Sequence, residues 1–136
     1  MIDDCKIVKI PVIEDVRGNI AVVEESNDDI PFDIKRTYYL YNVKDNVNRG
    51  SHAHKALRQF IIAINGSFDV NIDDGYNKQK YKLDNPNEGL YMCPMIWREL
   101  TNFSSNSICL VVASEVYDED DYIRDYDLFL KLLEIN

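Results

Sequence analysis

The sequence predicts an all-β fold, an antiparallel sandwich or barrel of about nine short strands followed by one C-terminal α-helix. Three observations predict it. Short runs of β-branched and aromatic residues recur between turn-forming residues along most of the chain. In the clearest run Phe68, Val70 and Ile72 alternate with Ser67, Asp69 and Asn71, the period of a strand with one buried face. Near the end the period changes to three and four, over Tyr122, Tyr126, Phe129, Leu130 and Leu133, which is helical.

The elements follow in order. Residues 7–13 read as a strand, and Pro11, which cannot donate to a ladder, makes residues 1–14 an edge strand or an exchanged N-terminal arm. Asp15–Asn19 is a turn, Ile20–Glu24 a strand, and Ser26–Pro31 a polar loop. Lys35–Val43 holds Thr37, Tyr38, Tyr39 and Tyr41 and reads as a strand, with a loop over Lys44–Asn48. The run Phe60–Ile64 before Asn65-Gly66 is a buried strand ending in a turn. Asp73-Asp74-Gly75 turns residues 67–72 back into Lys78–Leu83, with Tyr81 and Leu83 facing inward. Gly89–Cys93, Met95–Leu100 and Ile108–Ala113 complete the strands. The helix is expected over 118–134, with the acids at 118–121 forming a first turn suited to the helix dipole.

A chain of 136 residues is one domain of ordinary size, residues 1–136, large enough to bury a core without staples. Its net charge of −9 argues against nucleic acid or an anionic membrane as partner. No stretch is long enough to span a membrane, and Met1-Ile2-Asp3-Asp4 lacks the start of a signal peptide. Cys5, Cys93 and Cys109 are an odd, widely spaced set, which fits reduced thiols and a cytoplasmic setting. The acidity is uneven. Residues 35–60 carry six basic side chains against one acid, so the basic island is either a seat for an anionic ligand or a chance cluster of surface charge.

Inside that island lie the chain's two histidines, in Gly50-Ser51-His52-Ala53-His54-Lys55. On a strand this spacing sends both imidazoles to one face. Such a pair handles protons, binds a metal, or is simply structural. The spacing from His52 and His54 through Gln59 to Gly66 resembles the first motif of the cupins, whose metal-binding members carry glutamate where this chain has Gln59. The second cupin motif normally brings another histidine near Pro94, but Pro94-Met95-Ile96-Trp97-Arg98-Glu99 has none. Two imidazoles and an amide beside a guanidinium are a poor donor set for zinc or iron, so no metal and no other cofactor is expected.

The resemblance narrows over nearly the whole chain. Lys35–Tyr39, Arg49–Lys55, Gly89-Leu90-Tyr91, Trp97-Arg98-Glu99 and Tyr117–Glu119 with Asp121–Arg124 are similar to the sugar 3,4-ketoisomerase family. The resemblance implies a metal-free cupin jelly roll, a homodimer exchanging N-terminal strands, and a dTDP-linked 4-keto-6-deoxy sugar as substrate. It implies that dTDP-4-keto-6-deoxyglucose becomes a dTDP-3-keto-6-deoxyhexose through an enediol, in the synthesis of 3-amino-3,6-dideoxy sugars. Moving a carbonyl from C4 to C3 needs only proton transfer and a stabilised enediolate. His54 is expected as the base and His52 as its acid partner or shuttle, with the two roles open to exchange. Tyr38 either donates to the enediolate oxygen or packs in the core. Arg36 and Arg49 are the first choices to grip the diphosphate, and each is otherwise a surface ion-pair partner. Arg17 and Arg98 are candidate sugar-edge residues, Gln59 a hydrogen-bond partner of a histidine or the sugar, and Trp97 a stacking or core residue. The alternatives are a non-catalytic sugar-nucleotide-binding cupin and a dTDP-sugar epimerase. The epimerases pair histidine with aspartate, and the sequence sets no aspartate obviously beside these histidines.

Overall fold

In the computed structural model the described residues are 1–25, 30–44 and 48–135. The loops expected over Ser26–Pro31 and Lys44–Asn48 fall outside them at residues 26–29 and 45–47. The strands are β1 (Lys6–Lys9), β2 (Val12–Ile13), β3 (Ile20–Ala21), β4 (Arg36–Leu40), β5 (Arg49–His54), β6 (Gln59–Asn65), β7 (Phe68–Asp73), β8 (Lys78–Leu83), β9 (Glu88–Met92), β10 (Trp97–Thr101), β11 (Ile108–Ala113) and β12 (Tyr122–Ile123). One helix, α1 (Tyr126–Ile135), ends the described chain.

The strands form two antiparallel five-stranded sheets, ordered β1-β9-β6-β11-β4 and β12-β5-β10-β7-β8, with β2 and β3 as a separate hairpin. This is the all-β jelly roll with a C-terminal helix that the sequence predicts. Ile61, Ala63, Val111, Leu90 and Met92 of the first sheet meet Phe68, Val70, Ile72 and Leu100 of the second in the main core. The outer face of the first sheet, through Phe60, Ile62 and Val112, is covered by Ile10, Ile30 and Phe32.

The C-terminal segment departs from expectation. Only Tyr126–Ile135 is helical; Glu119–Asp121 is a 3-10 turn and Tyr122–Ile123 is the edge strand β12. The reason is Asp125, whose carboxylate accepts from the backbone N–H of Asp127 and Leu128 and so caps the helix there. Upstream, Tyr122 pairs with His54 and Ile123 with Ala53, which holds that stretch extended. At the other end, the strand expected over 7–13 breaks at Ile10-Pro11 into β1, an edge strand paired to β9, and β2. The strand expected from Met95 starts at Trp97, because Pro94 precedes a Met95 held at φ 60°.

Helix α1 packs on the back of one sheet. Phe129, with Leu130 and Leu133, covers Ala53, Trp97 and Ile123. These three are the outward neighbours of His52, His54, Arg98 and Tyr122, so the helix buttresses the strands that carry them. Burying Phe129 completely contributes roughly 2–3 kcal/mol to that support. Trp97 lies in this layer, packed against Tyr126 and Phe129 as the core reading of it expects.

Candidate active site

Strand register assembles the site. On the second sheet His52 stands opposite Arg98 and His54 opposite Tyr122, so all four project from one face. On the first sheet Tyr38 and Ile61 flank Val111, while Arg36 and Gln59 flank Ala113. The two inner faces bring Tyr38, Gln59, Arg98, Arg49 and Gly50 around a cavity of about 90 Å³. A kink opens it. The β5–β10 register shifts between Arg98 and Leu100, and Gly50 takes φ +70° where an added Cβ would meet Leu100 at 3.0 Å.

Two hydrogen-bond chains meet here, one along the cavity wall and one beside it on β5. The first begins at Asp121, whose Oδ2 lies 3.0 Å from His54 Nδ1. That carboxylate also accepts from the N–H of Ala56 at 2.8 Å and of Leu57 at 3.3 Å, so its position is fixed. An ionised carboxylate only accepts, which makes His54 Nδ1 the protonated nitrogen and leaves Nε2 with a lone pair. His54 Nε2 in turn faces His52 Nε2 at 3.1 Å, so His52 donates from Nε2 and keeps a lone pair on Nδ1. The Nδ1 edge of His52 lies beside Gly50, a residue of the cavity wall. The ring of Tyr122 packs on both imidazoles, 5.0 Å from His52 and 4.4 Å from His54, and the Arg124 guanidinium lies over that ring at 4.3 Å.

The second chain runs the other way. Arg98 is buried, with Nε donating to the Ile96 carbonyl oxygen and Nη1 to Gln59 Oε1. That bond turns the Gln59 amide so that its Nε2 donates to the Tyr38 hydroxyl at 3.0 Å. Tyr38 therefore has its own O–H proton free to donate. Arg98 Nη2, Arg36 Nε and Arg36 Nη2 are buried donors without a hydrogen-bond partner among the described residues, an arrangement costly unless something else accepts from them.

Charge states follow from burial. Desolvation, then the Arg98 guanidinium, pushes His52 down to about 2, and desolvation with Arg98, Arg36 and Arg124 pushes His54 down to about 3. Both imidazoles are neutral at physiological pH and available as bases. The Asp121 carboxylate opposes this push: it stabilises an imidazolium as it forms, which is what a relay requires. Burial raises Tyr38 and keeps it a phenol, while Arg98, lowered to about 10 by burial, stays protonated.

The structure thus brings together His52, His54, Tyr38, Gln59, Arg98 and Arg36. Arg36 sits over the Tyr38 ring at 5.1 Å and the Tyr117 ring at 5.7 Å, facing inward. Arg49 is exposed at the mouth, where the cavity meets a larger groove of about 360 Å³ lined by Tyr39, Tyr41, Lys44 and Arg49. Arg17 stands apart: its side chain is 87% exposed on the β2–β3 turn and ion-paired to Asp15 at 2.9 Å. Asp121 and Tyr122 are the residues the sequence reading missed as members of the site, and Asp121 corrects the expectation that no aspartate serves these histidines. The signal available is the Asp121–Arg124 string, which the family resemblance singles out and which the helical spacing places inside the expected helix. Among the described residues no cluster of three or more His, Cys, Asp or Glu side chains is arranged to hold a metal ion.

Comparison with known proteins gives a consistent result. The family model described as WxcM-like, C-terminal (FdtA) matches residues 3–134. A TDP-4-oxo-6-deoxy-alpha-D-glucose-3,4-oxoisomerase from Aneurinibacillus thermoaerophilus is 46% identical over 128 residues, covering 94% of this chain and 91% of its own. A mutant of the 3,4-ketoisomerase QdtA from Thermoanaerobacterium thermosaccharolyticum, solved with TDP-4-keto-6-deoxyglucose, superposes with a TM-score of 0.95 at 38% identity, covering 100% and 98% of the two chains. A 3,4-ketoisomerase from Helicobacter canadensis gives 0.93 at 43% identity, over 96% and 98%.

Proposed function

Because this chain belongs to the WxcM-like, C-terminal (FdtA) family, we propose that its two hydrogen-bond chains carry out a sugar 3,4-keto transfer on dTDP-4-keto-6-deoxyglucose. The protein is an isomerase, a TDP-sugar 3,4-ketoisomerase. The observation that carries the mechanism is the pairing of a neutral, carboxylate-backed histidine relay with a separate, buried line of donors.

The ketone at C4 acidifies the C3 hydrogen. His52 takes that proton on Nδ1, the nitrogen left free by its bond to His54. Of the two assignments the sequence leaves open, this is the exchanged one, with His52 rather than His54 as the base. Burial supports it: His54 is fully buried with both nitrogens engaged, whereas His52 is half-buried. As His52 becomes cationic, His54 and Asp121 share the charge behind it. The charge developing on O4 is met by the Tyr38 hydroxyl, with Arg98 acting through Gln59 and presenting its unpartnered Nη2 to the same space. Returning the proton to C4, while the O3 hydroxyl proton leaves for O4, gives the 3-keto sugar. Arg49, exposed at the mouth, and inward-facing Arg36, whose Nε and Nη2 are buried with no hydrogen-bond partner among the described residues, are assigned to the diphosphate.

Among the described residues the hairpin β2–β3 pairs with no other strand, and it exposes Ile13, Val16 and Ile20, which supports a homodimer in which the N-terminal arm is exchanged. Seating that hairpin on a second copy is what would bring Arg17 near a sugar edge. A cytoplasmic location in deoxysugar synthesis accords with this substrate class, and among the described residues no helix is long and apolar enough to cross a membrane.

The test is to incubate the protein with dTDP-4-keto-6-deoxyglucose and follow the product by proton NMR. A 3-keto product is expected. Inversion at C3 or C5 with the ketone still at C4 would make it an epimerase, and binding without turnover would make it a non-catalytic cupin; either result would overturn the proposal.

A further inference from the structure

Away from the sugar site, Cys5 and Cys93 bring their sulfurs to 3.7 Å, with both residues buried. Cys5 ends the N-terminal 3-10 turn directly before β1, and Cys93 directly follows β9, so the antiparallel pairing of these strands holds the thiols together. The surrounding backbone is tied down: the Ile2 N–H donates to Asp74 Oδ2 at 2.9 Å, and Cys93 Sγ lies 3.5 Å from the Met1 carbonyl oxygen. The two thiols are unequal. The hydrogen bond from Cys5, helped by the Met1 α-amino group, lowers Cys93 to about 7, while the same bond and burial raise Cys5. Cys109 is a third free thiol, buried and pushed up to about 12.

We propose that Cys5 and Cys93 form a redox-active dithiol that closes to a disulfide on meeting a low-molecular-weight disulfide, stapling the N-terminal arm to β9. A disulfide bond is about 2.05 Å long, so closure asks for less than ~2 Å of sulfur movement. In the first step the Cys93 thiolate attacks one sulfur of the small disulfide, forms a mixed disulfide and releases one small thiolate, which takes up a proton. Capping Cys93 removes the hydrogen bond that chiefly holds the Cys5 thiol protonated. Cys5 then gives its proton to solvent, attacks the Cys93 sulfur and expels the second small thiolate. Two protein thiols lose two electrons, and one small disulfide becomes two small thiols. A bond between residues 88 positions apart restrains a large part of the unfolded chain, so the oxidised form is the more stable.

The experiment equilibrates the full chain with oxidised glutathione, blocks remaining thiols with N-ethylmaleimide, and maps peptides by mass spectrometry beside Cys5→Ser and Cys93→Ser. The three free thiols should fall to one, with a Cys5–Cys93 peptide and a Tm raised by several degrees and restored by dithiothreitol. Cys5→Ser should stop at glutathionylated Cys93, and Cys93→Ser should keep its two thiols free. A compact monomer band on a non-reducing gel supports the bond within one chain, and a covalent dimer supports the same bond across an exchanged arm. Wild-type protein that keeps all three thiols, or that stays glutathionylated at Cys93 without joining Cys5, would overturn the proposal.

Discussion

The two hydrogen-bond chains of the site make opposite use of the same burial. In Asp121–His54–His52 every link hands a lone pair forward, and desolvation with Arg98 strips both rings of charge, so the chain ends in an open lone pair. In Arg98–Gln59–Tyr38 every link hands a proton forward, and desolvation keeps the phenol neutral, so the chain ends in a donor. The same low-dielectric surroundings thus leave a lone pair at one end and a phenol proton at the other. The first chain is backed by an ionised carboxylate and the second by a guanidinium; exchanging those anchors would reverse both polarities.

Breaking the chains one link at a time tests this contrast. His52→Asn removes the group assigned to touch the C3 hydrogen. It should lower kcat by about 10⁴-fold while leaving the Kd for TDP, by calorimetry, nearly unchanged. Asp121→Asn keeps the shape but withdraws the charge that orients His54 and steadies its imidazolium. Steady-state kinetics should show a kcat loss of about 10³-fold with KM little altered. Tyr38→Phe strikes the donor chain, with a loss of about 10²-fold in kcat. It also strands the Gln59 Nε2 donor in a buried site, and urea titration should register a destabilisation of about 1–3 kcal/mol.

The last test concerns pH. The histidines carry folded-state values near 2 and 3 against 6.5 in an unfolded chain. As pH falls below about 6.5 the unfolded chain takes up protons that the folded one refuses, so stability falls with falling pH until the folded values are reached. Each histidine contributes a slope of up to ~1.4 kcal/mol per pH unit in that window. Urea titrations at pH 7 and pH 5 should show this decline, and His52→Asn should flatten it.

How much of this was legible in the sequence depended on the range of the interactions. The strands β7 and β8 are readable because a period of two needs only neighbouring residues, β11 is readable as a short apolar run, and the inward pair His52 and His54 follows from the first rule. Gln59 and Arg98 were picked out singly, but their bond crosses the two sheets and no local pattern announces it. Tyr122 misled because its spacing to Tyr126 and Phe129 is helical; the pairing of β12 with β5, contributed by residues far upstream, overrode that local preference. The same pairing delivers Asp121, so an error in one element concealed the anchor of the base. Arg17 was noted for its type and turn, yet within one chain it is tied to Asp15.

The central claim is that the lone pair at the end of the histidine chain takes the C3 hydrogen. Its most direct measurement is proton NMR of dTDP-4-keto-6-deoxyglucose in D2O with wild-type protein and with His52→Asn, following loss of the C3 proton signal. The account predicts rapid exchange of C3 by the wild type and exchange slowed by orders of magnitude in the variant, with the nucleotide still bound. Near-normal C3 exchange by His52→Asn would contradict it.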